Sequence, residues 1–123
     1  MSPALTPARA LEYLRELSAD IRAGAVLSAD GALLAGPEAL AEPARELLAA
    51  AGNAADVHVA TGDGAVFAAR DGRHAIVLAC GRFALPSLAR YDLRMVLADL
   101  TGGDEGGRGG DVGGGSDSQR RAA

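Results

Sequence analysis

Residues 21–36 read Ile21-Arg-Ala-Gly-Ala-Val-Leu-Ser-Ala-Asp-Gly-Ala-Leu-Leu-Ala-Gly36, two short apolar runs on either side of Asp30-Gly31. Asp-Gly readily takes the positive φ of a tight reversal, so the stretch predicts two antiparallel strands joined by a hairpin turn. On its N-terminal side the period is helical. Thr6-Pro7 supplies an N-cap followed by proline at the first helical position, where a missing N–H costs nothing. At about 100° per residue, Ala10, Leu11, Tyr13, Leu14 and Leu17 fall on one side of a helix predicted over residues 7–19, with Arg9, Glu12, Arg15 and Glu16 opposite.

On the C-terminal side, Pro37 and Pro43 bracket the start of a second helix that continues to Ala51 and stops at Gly52-Asn53. Leu40, Ala44, Leu47, Leu48 and Ala51 form its apolar stripe, Ala50 borders it, and Ala49 interrupts the charged side marked by Glu42, Arg45 and Glu46. Small side chains there let another helix approach closely, so this helix is expected to touch its own sheet and a partner. Residues 57–61, 65–70 and 73–80 then read as three strands. Their connections, Gly62-Asp63-Gly64 and Asp71-Gly72, are short enough to make antiparallel neighbours. A last helix is predicted from Pro86-Ser87 to Leu100, with Gly102 just beyond. It has two apolar faces: Ala89, Leu93, Val96, Leu97 and Leu100 on one, Leu88, Tyr91, Met95 and Ala98 on the other.

After Thr101 the composition collapses into Gly-Gly-Asp-Glu-Gly-Gly-Arg-Gly-Gly-Asp. Such glycine density does not offset its ordering entropy, so one folded unit is expected over residues 5–101, with a disordered tail over 102–123. The chain of 123 residues is 49% hydrophobic, but much of that is alanine and only four residues are aromatic. A thin core of this kind gains from burying further surface against a second copy.

The net charge is −4 and all twelve basic residues are arginine. An acidic chain without a basic stripe, poor in aromatics, is not expected to bind nucleic acid. No apolar stretch approaches the ~20 residues of a membrane helix, and the first residues do not read as a signal peptide. A single cysteine, Cys80, excludes an internal disulfide framework and suits a reducing compartment, so a cytoplasmic location without membrane insertion is expected.

Catalytic chemistry finds little to use. Cys80 ends an apolar strand, and His74 stands six positions earlier, ~20 Å away along an extended strand, so a nucleophile–base pair is not expected. His58 and His74 with one cysteine make a poor metal set. Gly62-Asp63-Gly64 lacks the lysine and the strand-loop-helix context of a phosphate loop, and Asp30, Asp63 and Asp71 all sit in turns, where aspartate stabilises local backbone. Arg90, Arg94, Asp92 and Asp99 read as a solvated helix edge or as a polar rim around Tyr91 and Met95, types enriched at interfaces. Arg120-Arg121 on the tail carries too little charge to define a surface.

The predicted order is helix, strand, strand, helix, strand, strand, strand, helix. With the hairpin at residues 24–35 and the stretch Ala65-Val-Phe-Ala-Ala-Arg-Asp-Gly-Arg-His-Ala-Ile-Val77, the chain resembles bacterial proteins of the roadblock / dynein light-chain family over roughly residues 5–100. The resemblance implies an α+β, profilin-like fold: a five-stranded antiparallel sheet with the second helix on one face and the first and last on the other. It also implies a homodimer in which second helices pair and third strands join edge to edge. Leu40, Ala44, Leu47, Leu48, Ala49, Ala50, Ala51, Val57 and Val59 would carry that interface. The pattern leaves open which of them face the sheet. Roadblock proteins regulate Ras-like small GTPases or serve as adaptors, so the resemblance implies a non-enzymatic regulator of a small GTPase or another signalling protein, with no cofactor. Arg90, Tyr91, Arg94 and Met95 are candidate partner contacts. A structural adaptor and a small ligand-sensing domain are the competing expectations.

Overall fold

A computed structural model of the chain describes the backbone of residues 5–108 and the side chains of residues 5–100. Helix α1 spans Pro7–Leu17; the Thr6 hydroxyl accepts from the Arg9 N–H at 3.2 Å, and proline opens the first turn as expected. It ends earlier than residue 19, because Ser18 turns extended after donating its N–H to the Leu14 carbonyl. Strands β1 (Ile21–Ser28) and β2 (Leu33–Ala35) form the predicted hairpin, with Gly31 at φ 92°. A single 3-10 turn over Glu38–Leu40 leads into α2, Ala41–Ala50. Pro43 lies in the first turn of α2, where no intrahelical N–H is required. Gly52, at φ 63°, ends the helix run.

Strands β3 (Asp56–Ala60), β4 (Gly64–Arg70) and β5 (His74–Gly81) follow as the predicted meander. The five strands are ordered β2-β1-β5-β4-β3 with every neighbouring pair antiparallel, which leaves β2 and β3 as edges. The β1–β5 pairing, seven residue pairs from Ile21–Cys80 to Ser28–His74, closes the sheet across its centre.

Side chains alternate across the sheet as strand geometry requires. Ile76, Leu78 and Cys80 of β5, with Val26, Phe67 and Ala69, meet α1 and α3 on one face. Ala75 and Val77, with Leu27 and Ala68, meet Ala44 of α2 on the other. One helix on one face and two on the other is the layering implied by the resemblance.

Two expectations need correction. In α1 only Ala10 and Leu14 are fully buried, with Leu11 packed at their flank, whereas Tyr13 and Leu17 remain exposed. The sheet and α3 cover only the strip of Ala10, Leu11 and Leu14, narrower than the apolar arc of the helical wheel. Helix α3 spans Pro86–Arg108 and passes through Gly102 instead of stopping there. Glycine lowers helix propensity by about 1 kcal/mol but introduces no clash, so it does not end a helix as proline does. Within the expected tail, residues 109–123 lie outside the described residues.

Candidate functional site

The α2–β3 side holds the residues expected to form an interface. Ala44 is turned into the sheet and buried. Leu40, Leu47, Leu48, Ala51 and Val57 are half-buried, while Ala49, Ala50 and Val59 are exposed, Val59 at 41%. The helical turn explains the split. Ala41, Ala44 and Leu48 recur at three- and four-residue steps on the inner side, and Ala49 and Ala50 lie about 100° to 200° round from Leu48. Among the described residues strand β3 pairs only with β4, which leaves its outer backbone edge open, and Val57 of β3 packs on the same face of the sheet as Leu47 and Leu48 of α2.

Two arginines fix this border. Arg70, at the end of β4, donates Nε–H to the Ala54 carbonyl at 2.9 Å and Nη1–H to Leu48 at 3.1 Å, and its Nη2 donates to Gly52. It thereby satisfies carbonyls that a helix C-terminus leaves orphaned. Arg94 of α3 approaches from the other face. Its Nε and Nη2 donate to Asp56 Oδ1 at 3.0 and 2.8 Å, and Nη2 also reaches the Ala55 carbonyl at 2.8 Å. Arg94, expected as part of a rim, is thus tied to the start of β3. Neither tether was visible in the sequence, since both join residues 16 or more apart and all but the Asp56 carboxylate among their acceptors are backbone carbonyls.

The outer side of α3 gathers the large apolar residues. Tyr91 is 61% exposed, Leu88 51% and Met95 36%, and the loop before the helix adds Phe83 at 79% and Leu85 at 63%. Three of the chain's four aromatic residues, Tyr13, Phe83 and Tyr91, are exposed on the α1–α3 side. Arg90 is exposed beside Tyr91, and Asp92 is half-buried at the opposite flank, where burial raises its carboxyl above the ordinary range. Sequence periodicity found Tyr91 and Met95. It missed Phe83 and Leu85, although a Phe between Arg82 and Ala84 in so aromatic-poor a chain was a usable signal.

The chemically reactive side chains lie apart. His74 opens β5 and Cys80 stands one residue before its end, and His58 stacks on Phe67 with ring centroids 4.6 Å apart. Burial, with the negative charge of Asp20, pushes the Cys80 thiol up to about 11. Among the described residues no group of three or more His, Cys, Asp or Glu is arranged to hold a metal ion, and no helix is long and apolar enough to cross a membrane.

No family model and no curated protein matches the sequence. Solved structures do match the fold. A roadblock/LC7 domain from Streptomyces avermitilis superimposes with a TM-score of 0.64 at 16% identity, covering 74% of this chain and 91% of that one. MglB of Myxococcus xanthus gives 0.62 at 14% identity, covering 81% of this chain and 85% of MglB. The gliding protein MglB from Thermus thermophilus gives 0.59 at 16% identity, covering 86% and 99%. With the strand order, the layering and these superpositions together, the chain has the roadblock fold.

Proposed function

We propose that the chain is a non-enzymatic, cytoplasmic homodimer that regulates a Ras-like small GTPase, or a related signalling protein, through protein–protein contacts. The observation that carries this reading is the α2–β3 border. Ala49 and Ala50 are exposed on α2 and Val59 on β3, whose outer edge has no strand partner among the described residues, while Leu47, Leu48 and Val57 pack half-buried on the same face of the sheet. Small side chains allow close helix pairing, and joining two β3 edges removes an aggregation liability. Regulation would work by binding one arrangement of the GTPase switch regions more tightly than the other, which shifts their population without any group on this chain doing chemistry.

The exposed Phe83, Leu85, Leu88 and Tyr91 favour a second reading, an adaptor. They lie on the side of the sheet opposite α2, so a dimer paired through α2 and β3 would present two such surfaces outward.

Light scattering on the full chain tests the dimer; a monomeric mass at concentrations on the order of tens of micromolar removes it. Ala50→Arg, with Ala49→Arg beside it, should convert dimer to monomer while leaving the far-UV spectrum intact. Titrating a Ras-like GTPase loaded with GDP or with a non-hydrolysable GTP analogue separates regulator from adaptor. Unequal affinities support regulation, and equal ones leave it no basis.

A further inference from the structure

Under the flank of α2, between the β1–β2 turn and the β4–β5 turn, lies a cleft of about 300 Å³. That is the lower end of the range for small-molecule sites. Three kinds of surface stand in its lining, which also includes Ser28 and His74. Leu27, Leu48 and Ala75 make an apolar floor, Arg45 and Arg70 make a cationic wall, and Asp30 stands in the β1–β2 turn.

Each charged group is positioned by the fold. Arg45 donates to the Gly31 carbonyl at 2.8 Å and to Glu42 Oε1 at 3.3 Å, two of the five N–H groups of a guanidinium. Arg70 directs three of its own to the end of α2 and the connector after it. Both guanidinium groups are therefore held in place, Arg45 in an ion pair with Glu42, and each has more N–H groups than these contacts use. Asp30 accepts from the Ser28 hydroxyl, and that hydrogen bond holds its carboxyl below the usual range, so it is anionic at neutral pH. A simple anion would be repelled by Asp30 and a simple amine by the arginines. A molecule carrying both charges and a short aliphatic group matches all three surfaces.

We propose that this cleft binds a free aliphatic amino acid, its carboxylate on Arg45 and Arg70, its ammonium on Asp30 and its side chain on Leu27, Leu48 and Ala75. Recognition of this kind uses charge-assisted hydrogen bonds at both ends and excludes molecules that present only one. The bound ligand would also bridge α2 to both turns, because Arg45 belongs to α2 and Arg70 holds its C-terminal end.

The test uses the full-length chain and three probes of similar size: L-leucine, isovalerate, which lacks the ammonium and the carbon that bears it, and isoamylamine, which lacks the carboxylate. Protein-observed NMR should show saturable shifts with leucine at the amides of Gly31, Gly72 and Ala75. Isovalerate and isoamylamine should each bind at least about tenfold more weakly. Asp30→Asn should weaken leucine about tenfold without weakening isovalerate, and Arg45→Gln should weaken both. Isovalerate binding as tightly as leucine, saturable shifts confined to residues away from the cleft, or no saturable shift with leucine up to about 10 mM would each overturn the assignment.

Discussion

The two faces of the sheet are built from side chains of different size. On the α1–α3 side, Leu14, Ile76, Leu78, Leu93, Leu97 and Leu100 are fully buried, and the exposed surface carries Phe83, Leu88 and Tyr91. On the α2 side, the buried set is Leu27 and Val77 with three alanines, Ala44, Ala68 and Ala75, and the exposed surface carries Ala49 and Ala50. Buried apolar area stabilises at roughly 25 cal/mol per Å², so the α1–α3 side supplies most of the fold's stability. The α2 side is under-buried in a single chain. It is the side where added contact with another copy brings the larger relative gain.

The sharpest challenge to this comparison is a matched truncation. Leu97→Ala should destabilise by about 3 kcal/mol in denaturant titration, because it opens a cavity among residues that do not collapse onto it. Leu48→Ala, half-buried on the α2 side, should cost only about 1 kcal/mol where the chain is monomeric, and more as rising concentration populates a dimer. Equal costs at low concentration would erase the difference between the faces.

The two arginine tethers give the next largest contrast. Arg70→Ala removes three hydrogen bonds to the α2 terminus and its connector, and should cost about 2–3 kcal/mol, with Arg70→Lys recovering only part. Arg94→Ala breaks a more exposed pair with Asp56 and should cost about 1 kcal/mol or less, diminishing in high salt.

Cys80 reports on the tightness of the α1–α3 side. Its buried thiol should react with a disulfide reagent at pH 8 roughly 100-fold more slowly than in the unfolded chain, because so little thiolate forms. The stability associated with the neutral thiol is intact below its ordinary value of 9.0 and is lost as pH rises through about 11, since the unfolded chain gives up the proton first.

The smallest effect belongs to Asp92. Burial raises its carboxyl, so the associated stability is present in acid and falls as pH rises through the folded value. Asp92→Asn should therefore raise the thermal midpoint slightly at pH 7 and leave it unchanged near pH 3.

Much of the fold was legible in the sequence because local signals agreed with one another. Thr6-Pro7, Asp30-Gly31 and Asp71-Gly72 punctuate elements whose periods switch cleanly between helix and strand. The layers followed once the order resembled a known fold. What stayed hidden were features decided by distant neighbours. Tyr13 and Leu17 belong to the apolar arc of α1, yet whether the arc is covered depends on the tilt of α3. On α2 the stripe of small residues was visible, but periodicity alone did not separate Ala44, facing inward, from Ala50, facing out. Arg70 binds main-chain carbonyls, which carry no sequence signature at all, and Arg94 joins the Ala55 carbonyl to an Asp56 carboxylate 38 positions away in the chain.

Those two arginines meet at one short connector. Arg70 holds the carbonyls of Gly52 and Ala54 from the α2 side, and Arg94 holds Ala55 and Asp56 from α3. The segment is held from both faces of the sheet at once. Helix α3 is thus joined to the first residue of the edge strand by a guanidinium as well as through its packing on β4.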